Sequence, residues 1–246
     1  MTQAAGAIGP VLARLGAATA DLVATLDGLS DDQARARSRL PGWTRGHVLT
    51  HLARNAEGST RLLTWARTGI PGHEYESVTA RAAAIEAGAG RPARGLAADV
   101  RATAEALAAA AAAVPDHHWD HVVTWTTGQQ TTADVIAASR LVEVLVHHVD
   151  LDLDFGPADW PDWFVAERTR AVAGSLTRRG LNPMTARLHA ADSGHRYRLG
   201  PAGPDDPEIS GTGADLLAWL LGRGDGSGLV QPGPGPLPSV PSVYMT

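Results

Sequence analysis

Apolar residues recur at helical spacing over the first 155 residues and in short alternating runs further on. Ile8, Leu12, Leu15, Leu22, Val23 and Leu26 mark an amphipathic helix over residues 7–27, ended by Asp27 and Gly28. The turn Leu40-Pro41-Gly42-Trp43 feeds a second helix. Thr44 is placed to cap it, with Trp43 and Val48 as a hydrophobic staple. This helix runs through Leu52, Leu62 and Leu63 to about Arg67, before Gly69 and Pro71. A third helix over residues 96–114 contains the Ala108 to Ala113 run, whose helix propensity is high, and stops before Pro115. The following polar loop with His117, His118 and His121 reads as solvated. Thr131 or Thr132 then caps a fourth helix to about Leu151, with Val135, Ile136, Leu141, Val142, Leu145 and Val149 on its apolar side. Four such helices predict a bundle.

Past Phe155 the texture changes at the turn-rich segment Gly156 to Trp163, which marks a domain boundary. A helix over residues 164–178 precedes short runs at 186–191, 196–199 and 208–210 that read as strands. A last helix over 212–221 ends at Gly222-Arg223-Gly224. The expected organisation is a helical bundle over residues 1–155, a small α+β domain over 160–230 and a loosely held Pro-rich tail over 231–246. The fold class is therefore mostly α with a small α+β domain.

Composition changes this picture in three ways. The chain has 246 residues, 44% of them hydrophobic, enough for a substantial core. No apolar run is long enough to span a membrane and the first residues lack the basic and apolar segments of a secretion signal, so the expected setting is the cytoplasm. The net charge of −5 disfavours a nucleic-acid partner, and all 21 basic residues are Arg. With no Cys, the chain has neither disulfides, thiolate ligands nor a thiol nucleophile, so any thiol chemistry needs a thiol from outside. Either a monomer or a homodimer suits such a bundle.

Candidate chemistry lies on the second and fourth helices. Glu143 and His147 are four apart and project from one helical face, with Asp150 one turn on. They read either as a solvated pair or as two metal ligands. Their position within a strongly apolar stretch favours the metal, because burial without a partner is unfavourable. His51 is the candidate third ligand. Two His and one Glu leave a fourth position on zinc open to water or substrate, although nickel, iron and cobalt also accept this set. The pair His47 and His51 resembles a metalloprotease motif, but Val48 stands where that motif needs a Glu base. His148 points away from His147 around the helix. Arg223 serves either as a helix C-cap charge or as an anion clamp.

The run from Leu40 through Pro41-Gly42-Trp43-Thr44 and His47 to His51 and Ala56, followed by Leu63 to Gly69, resembles the signature of the mycothiol-dependent maleylpyruvate isomerases of the DinB-like metal-binding superfamily. Arg140 to Leu151 resembles that family's second motif, and the end of the small domain, Gly222 to Gly226, is also similar. Between Ile70 and Arg94 no family signature is recognised. The resemblance implies an N-terminal DinB-like up-and-down four-helix bundle with zinc held by His51, Glu143 and His147. It also implies that Asp150 and Arg223 serve catalysis and bind the cofactor mycothiol. Asp150 would orient a ligand or bond to the thiol, and Arg223 would grip a carboxylate of the small anionic substrate. The implied reaction is cis–trans isomerisation of maleylpyruvate to fumarylpyruvate by thiol addition, bond rotation and elimination, a step of aromatic degradation. The same architecture also suits a mycothiol S-transferase or a non-catalytic metal-binding module.

Overall fold

The computed structural model describes residues 5–233 and 235–240, without the side chains of residues 5–7. The chain divides into two compact units, Met1–Phe155 and Gly156–Thr246.

The first unit contains helices α1 (Ala5–Thr25), α2 (Asp31–Arg35), α3 (Arg45–Thr68), α4 (Val78–Ala89), α5 (Ala93–Ala112) and α6 (Ala133–Asp150). A short hairpin, β1 (Val122–Thr124) with β2 (Gln130–Thr132), precedes α6. The four long helices form the bundle: α3 packs on α5 and α6, and α1 packs on the same two. Consecutive long helices therefore stand mainly across the bundle rather than side by side. The two crossings are made by the α2 segment and by the hairpin. Leu62, Leu63, Leu107, Ile136 and Trp119 are among the buried residues of the core, each large side chain contributing about 1.5–3 kcal/mol through its burial.

Thr44 caps α3 as expected, accepting from the His47 N–H, and Gly69 closes the helix in the left-handed conformation (φ 72°) that a residue with a Cβ disfavours. Three elements depart from the sequence reading. Helix α2 has only five residues, too few for a period, and is held by a Ser30–Gln33 capping box. Helix α4 buries just Ile85 and Ala89, so it has no apolar stripe to read. The hairpin strands have three residues each. The histidine loop is solvated as expected at His117 and His121, which are exposed. Trp119 within it is buried, and His121 Nδ1 donates to the Ala66 carbonyl at 2.8 Å.

The second unit has α7 (Asp162–Arg178), strands β3 (Ala186–Ala190), β4 (Arg196–Leu199) and β5 (Glu208–Gly211), and α8 (Gly213–Leu220). The sheet order is β4-β3-β5, antiparallel on one side (Leu188 opposite Tyr197) and parallel on the other (Leu188 opposite Ile209). α7 and α8 cover the sheet and touch each other. The segment expected to be a loose tail is anchored in its described part. Trp219 Nε1 donates to the Pro238 carbonyl at 3.0 Å, and Leu237 and Val240 are buried. Residues 241–246 of that tail lie outside the described residues. Among the described residues, no helix is long and apolar enough to cross a membrane.

Candidate metal centre

His51 stands two turns into α3 and is 3% exposed. The first turn is occupied by a structural histidine. The Thr44 N–H donates to His47 Nδ1 at 3.1 Å, leaving Nε2–H to donate to Glu86 at 3.2 Å, so His47 is spent on the cap. From α6, Glu143 and His147 reach the same point as His51. His51 Nε2 lies 2.8 Å and His147 Nε2 3.4 Å from Glu143 Oε2. All three ligand atoms fall within 4.8 Å of one another. Donors about 2.0–2.2 Å from a tetrahedral ion lie roughly 3.4 Å apart, so small side-chain shifts would seat a divalent cation. Two imidazoles and a carboxylate suit zinc and its neighbours in the transition series.

Asp150 completes the α6 contribution. Fully buried, it accepts from His147 Nδ1–H at 2.8 Å. This contact fixes the tautomer that leaves Nε2 free for an ion and raises the basicity of the ring. Arg140, three residues before Glu143, ties α6 to α3 by donating to the Leu52 carbonyl and to Asn55 Oδ1, both at 2.8 Å. His148 faces elsewhere, as expected, bonding Thr25 Oγ1 at 2.8 Å and stacking on Phe155 with ring centres 3.8 Å apart.

Burial and pairing distribute charge unequally in this cluster. Burial pushes His51 down to about 4, helped by His147 and Arg81 and only partly opposed by Glu143. Burial also works against the charged form of His147, but the bonds to Asp150 and Glu143 outweigh it and push that ring up to about 9. Burial opposes the Glu143 carboxylate as well, yet His147 and His51 hold it well below the ordinary carboxylate range. In the metal-free protein one proton therefore rests on His147 between two carboxylates.

The segment without a family signature forms one wall of this centre. Helix α4 docks on α3 through glycines. A Cβ on Gly46 would lie 2.1 Å from the Ala89 carbonyl oxygen, and one on Gly88 would lie 2.5 Å from Thr50 Cγ2. This docking carries Arg81 to the site, where its Nη2 donates to His51 Nδ1 at 3.1 Å. Trp43 closes another side, edge-on to His51 at 5.8 Å between ring centres. Arg81 and its neighbour Tyr75 were not legible as site residues. The one local signal is Ser77, which caps α4 by accepting from the Ala80 N–H. Arg223 belongs to the second unit, just after α8. Gly222 there is left-handed (φ 69°), and Arg223 Nη1 donates to the Leu221 carbonyl at 2.8 Å, a helix-end contact.

Residues 15–152 match the family model of the mycothiol maleylpyruvate isomerase N-terminal domain. Two solved structures share the fold along nearly the whole chain: a mycothiol-dependent maleylpyruvate isomerase, and a histidine-to-alanine mutant of such an enzyme. Each is 26% identical with a TM-score of 0.87, and the similarity covers 96% of this chain and 96% of theirs. No curated protein matches in sequence. The matched region spans more than half of the chain and carries His51, Glu143, His147 and Asp150, so the chain belongs to the mycothiol maleylpyruvate isomerase family.

Proposed function

We propose that this protein is a metal- and mycothiol-dependent isomerase that converts maleylpyruvate to fumarylpyruvate. The observation that carries the reading is the buried convergence of His51, Glu143 and His147, with Asp150 behind His147. His51, Glu143 and His147 would hold the zinc, which would lower the pKa of an incoming thiol, and mycothiol would bring the nucleophile that adds to the cis double bond and is eliminated again after rotation. The chain itself has no cysteine to play that part. Its residues supply the setting. Asp150 holds His147 in one orientation and tautomer. The two histidines are shielded from bulk water and Glu143 is partly so, which strengthens the charge interactions among them. Arg223 binds a substrate carboxylate in this reading, for which a guanidinium fork is suited. A cytoplasmic setting, where small thiols stay reduced, belongs to the same proposal.

The test is zinc-loaded protein with maleylpyruvate, with and without mycothiol, following fumarylpyruvate. Turnover that requires thiol without consuming it supports the isomerase. Thiol consumed in step with product would make the protein an S-transferase. No reaction with the metal site filled would overturn thiol-dependent catalysis on this substrate and leave a metal-binding module. Arg223→Ala should raise KM or lower kcat/KM at unchanged zinc content, and loss of zinc with that substitution would refute the role given to Arg223.

A further inference from the structure

Tyr75 lies in the connection before α4, yet hydrogen bonds on both sides fix it. Its N–H donates to Thr126 Oγ1 at 3.2 Å, and Thr126 in turn donates to Glu74 Oε2 from its hydroxyl (3.0 Å) and its N–H (3.2 Å). Arg61 Nε donates to the carbonyls of His73 and Glu74 at 3.0 and 3.1 Å. The segment thereby lies flat on α3 at Gly58, where a Cβ would sit 2.9 Å from Glu74 Cγ and 3.4 Å from Tyr75 Cζ. Gly58 is seven residues after His51, two turns along the same helical face. The phenol end of Tyr75 is thus laid along the face that carries His51.

The Tyr75 hydroxyl is shut off from solvent and has no hydrogen-bond partner. A buried hydroxyl without a partner is destabilising and calls for an explanation such as an absent ligand. Its surroundings indicate which kind. The Arg81 guanidinium carbon is 5.8 Å from the Tyr75 ring centre, and Arg81 lies close to the hydroxyl without meeting hydrogen-bond geometry. Burial, with the charges of Glu74 and Glu143 adding to it, pushes Tyr75 up to about 12, so the hydroxyl is a donor at neutral pH. Arg81 has only donors. Its present acceptor is His51 Nδ1. An ion on His51 Nε2 leaves the ring proton on Nδ1, which then cannot accept, and the guanidinium must find another acceptor.

We propose that Tyr75 and Arg81 form an anion-binding wall of the metal centre, donating together to one carboxylate of a short dicarboxylate substrate. The proposal rests on the isomerase reading for the identity of that substrate, but not for the binding itself. A hydroxyl and a guanidinium converging beside the ligand His51 give the carboxylate two charge-assisted bonds and set its distance from the ion. Tyr75 and Arg81 are thus substrate-binding residues, and Thr126 and Gly58 position them.

The experiment measures maleate binding by calorimetry to zinc-loaded protein, with Tyr75→Phe and Arg81→Gln compared against wild type. Loss of one hydrogen bond to a charged group corresponds to roughly tenfold to a hundredfold in dissociation constant. Both variants should weaken maleate by at least about tenfold, raise KM for maleylpyruvate more than they lower kcat, and keep the zinc content of wild type. Metal-free Tyr75→Phe should melt no lower than wild type, since it deletes an unpartnered hydroxyl; a structural tyrosine would show the opposite. Wild-type binding of maleate by Tyr75→Phe, or no maleate binding by wild type, would overturn the wall. If wild type binds maleate through Tyr75 but does not isomerise, the wall stands and the isomerase reading falls. If wild type isomerises and Tyr75→Phe has unchanged KM, the reading stands and the wall falls.

Discussion

The two sides of the metal centre are built on different physical terms. The α3–α6 side presents His51, Glu143 and His147 from long helices whose buried faces also form the core; Thr44 caps α3, whereas Thr132, expected to cap α6, makes no side-chain cap bond there. The wall at residues 73–89 rests on backbone proximity: Gly46, Gly58 and Gly88 allow α4 and the Tyr75 segment to lie directly on α3. One side is held by apolar burial and the other by the absence of side chains. The difference teaches that donors for an ion can be fixed by the fold, while residues that face a substrate ride on a more easily displaced element.

Four experiments probe that contrast. The largest effect belongs to the α3–α6 side: His51→Ala, Glu143→Gln or His147→Ala should each abolish stoichiometric zinc binding and reduce thiol-dependent turnover by about a thousandfold or more. Full zinc occupancy in any of these variants, by atomic absorption, would remove that residue from the ligand set. Asp150→Asn comes next. It keeps the shape of the site while weakening the contact to His147 Nδ1, and zinc affinity should fall by about 10–100-fold in a competitive chelator titration. An unchanged affinity would mean that the carboxylate charge of Asp150 is irrelevant to the metal.

The third effect is set by proton competition. His147 keeps its proton up to about pH 9 in the folded, metal-free protein, whereas in an unfolded chain it gives it up near 6.5. The stabilisation from that bound proton is complete below pH 6.5 and fades as the pH climbs to 9. A metal must displace it, so apparent zinc affinity should rise by up to about tenfold per pH unit across this window. Calorimetry in buffers of different ionisation enthalpy should detect the released proton at pH 7.5, and pH-independent uptake would contradict the protonated His147. The smallest effect tests the wall. Gly46→Ala places a Cβ against the Ala89 carbonyl and should destabilise the protein by about 1–3 kcal/mol in denaturant melts while leaving zinc stoichiometry intact. A parallel loss of zinc would show that the two sides are not separable.

The same contrast explains what could be read in advance. The apolar period of α3 and α6, Thr44 as a cap, and the i,i+4 pair Glu143 and His147 are local signals, and all are present in the structure. Asp150 was placed one turn beyond His147, and its carboxylate does meet the His147 ring. Tyr75 and Arg81 were not found because what brings them to His51 is tertiary. Helix α4 lacks an apolar stripe, and glycines at 46, 58 and 88 give no signal of what will pack on them. The hairpin at 122–132 was missed for its brevity, although its turn residue Thr126 anchors the Tyr75 segment. The Pro-rich end looked loose because the contact of Pro238 with the Trp219 indole links residues 19 positions apart in the chain.

The distance along the chain between His51 and its partner Glu143 bears on how the protein is made. Ninety-two residues separate them, and at about 5–20 residues per second on the ribosome His51 waits on the order of 5–20 s for the other half of the centre to be synthesised. Until α6 has left the exit tunnel, α5 is the one long helix that α1 and α3 share as a neighbour, and the other side of each faces no partner helix in the bundle ring. The nascent chain therefore exposes the apolar faces of an incomplete bundle, with His51 lacking its α6 partners, and the arrival of α6 completes core and centre together. Slow translation or a holding chaperone at this stage should matter more for the yield of active protein than the stability of the finished fold.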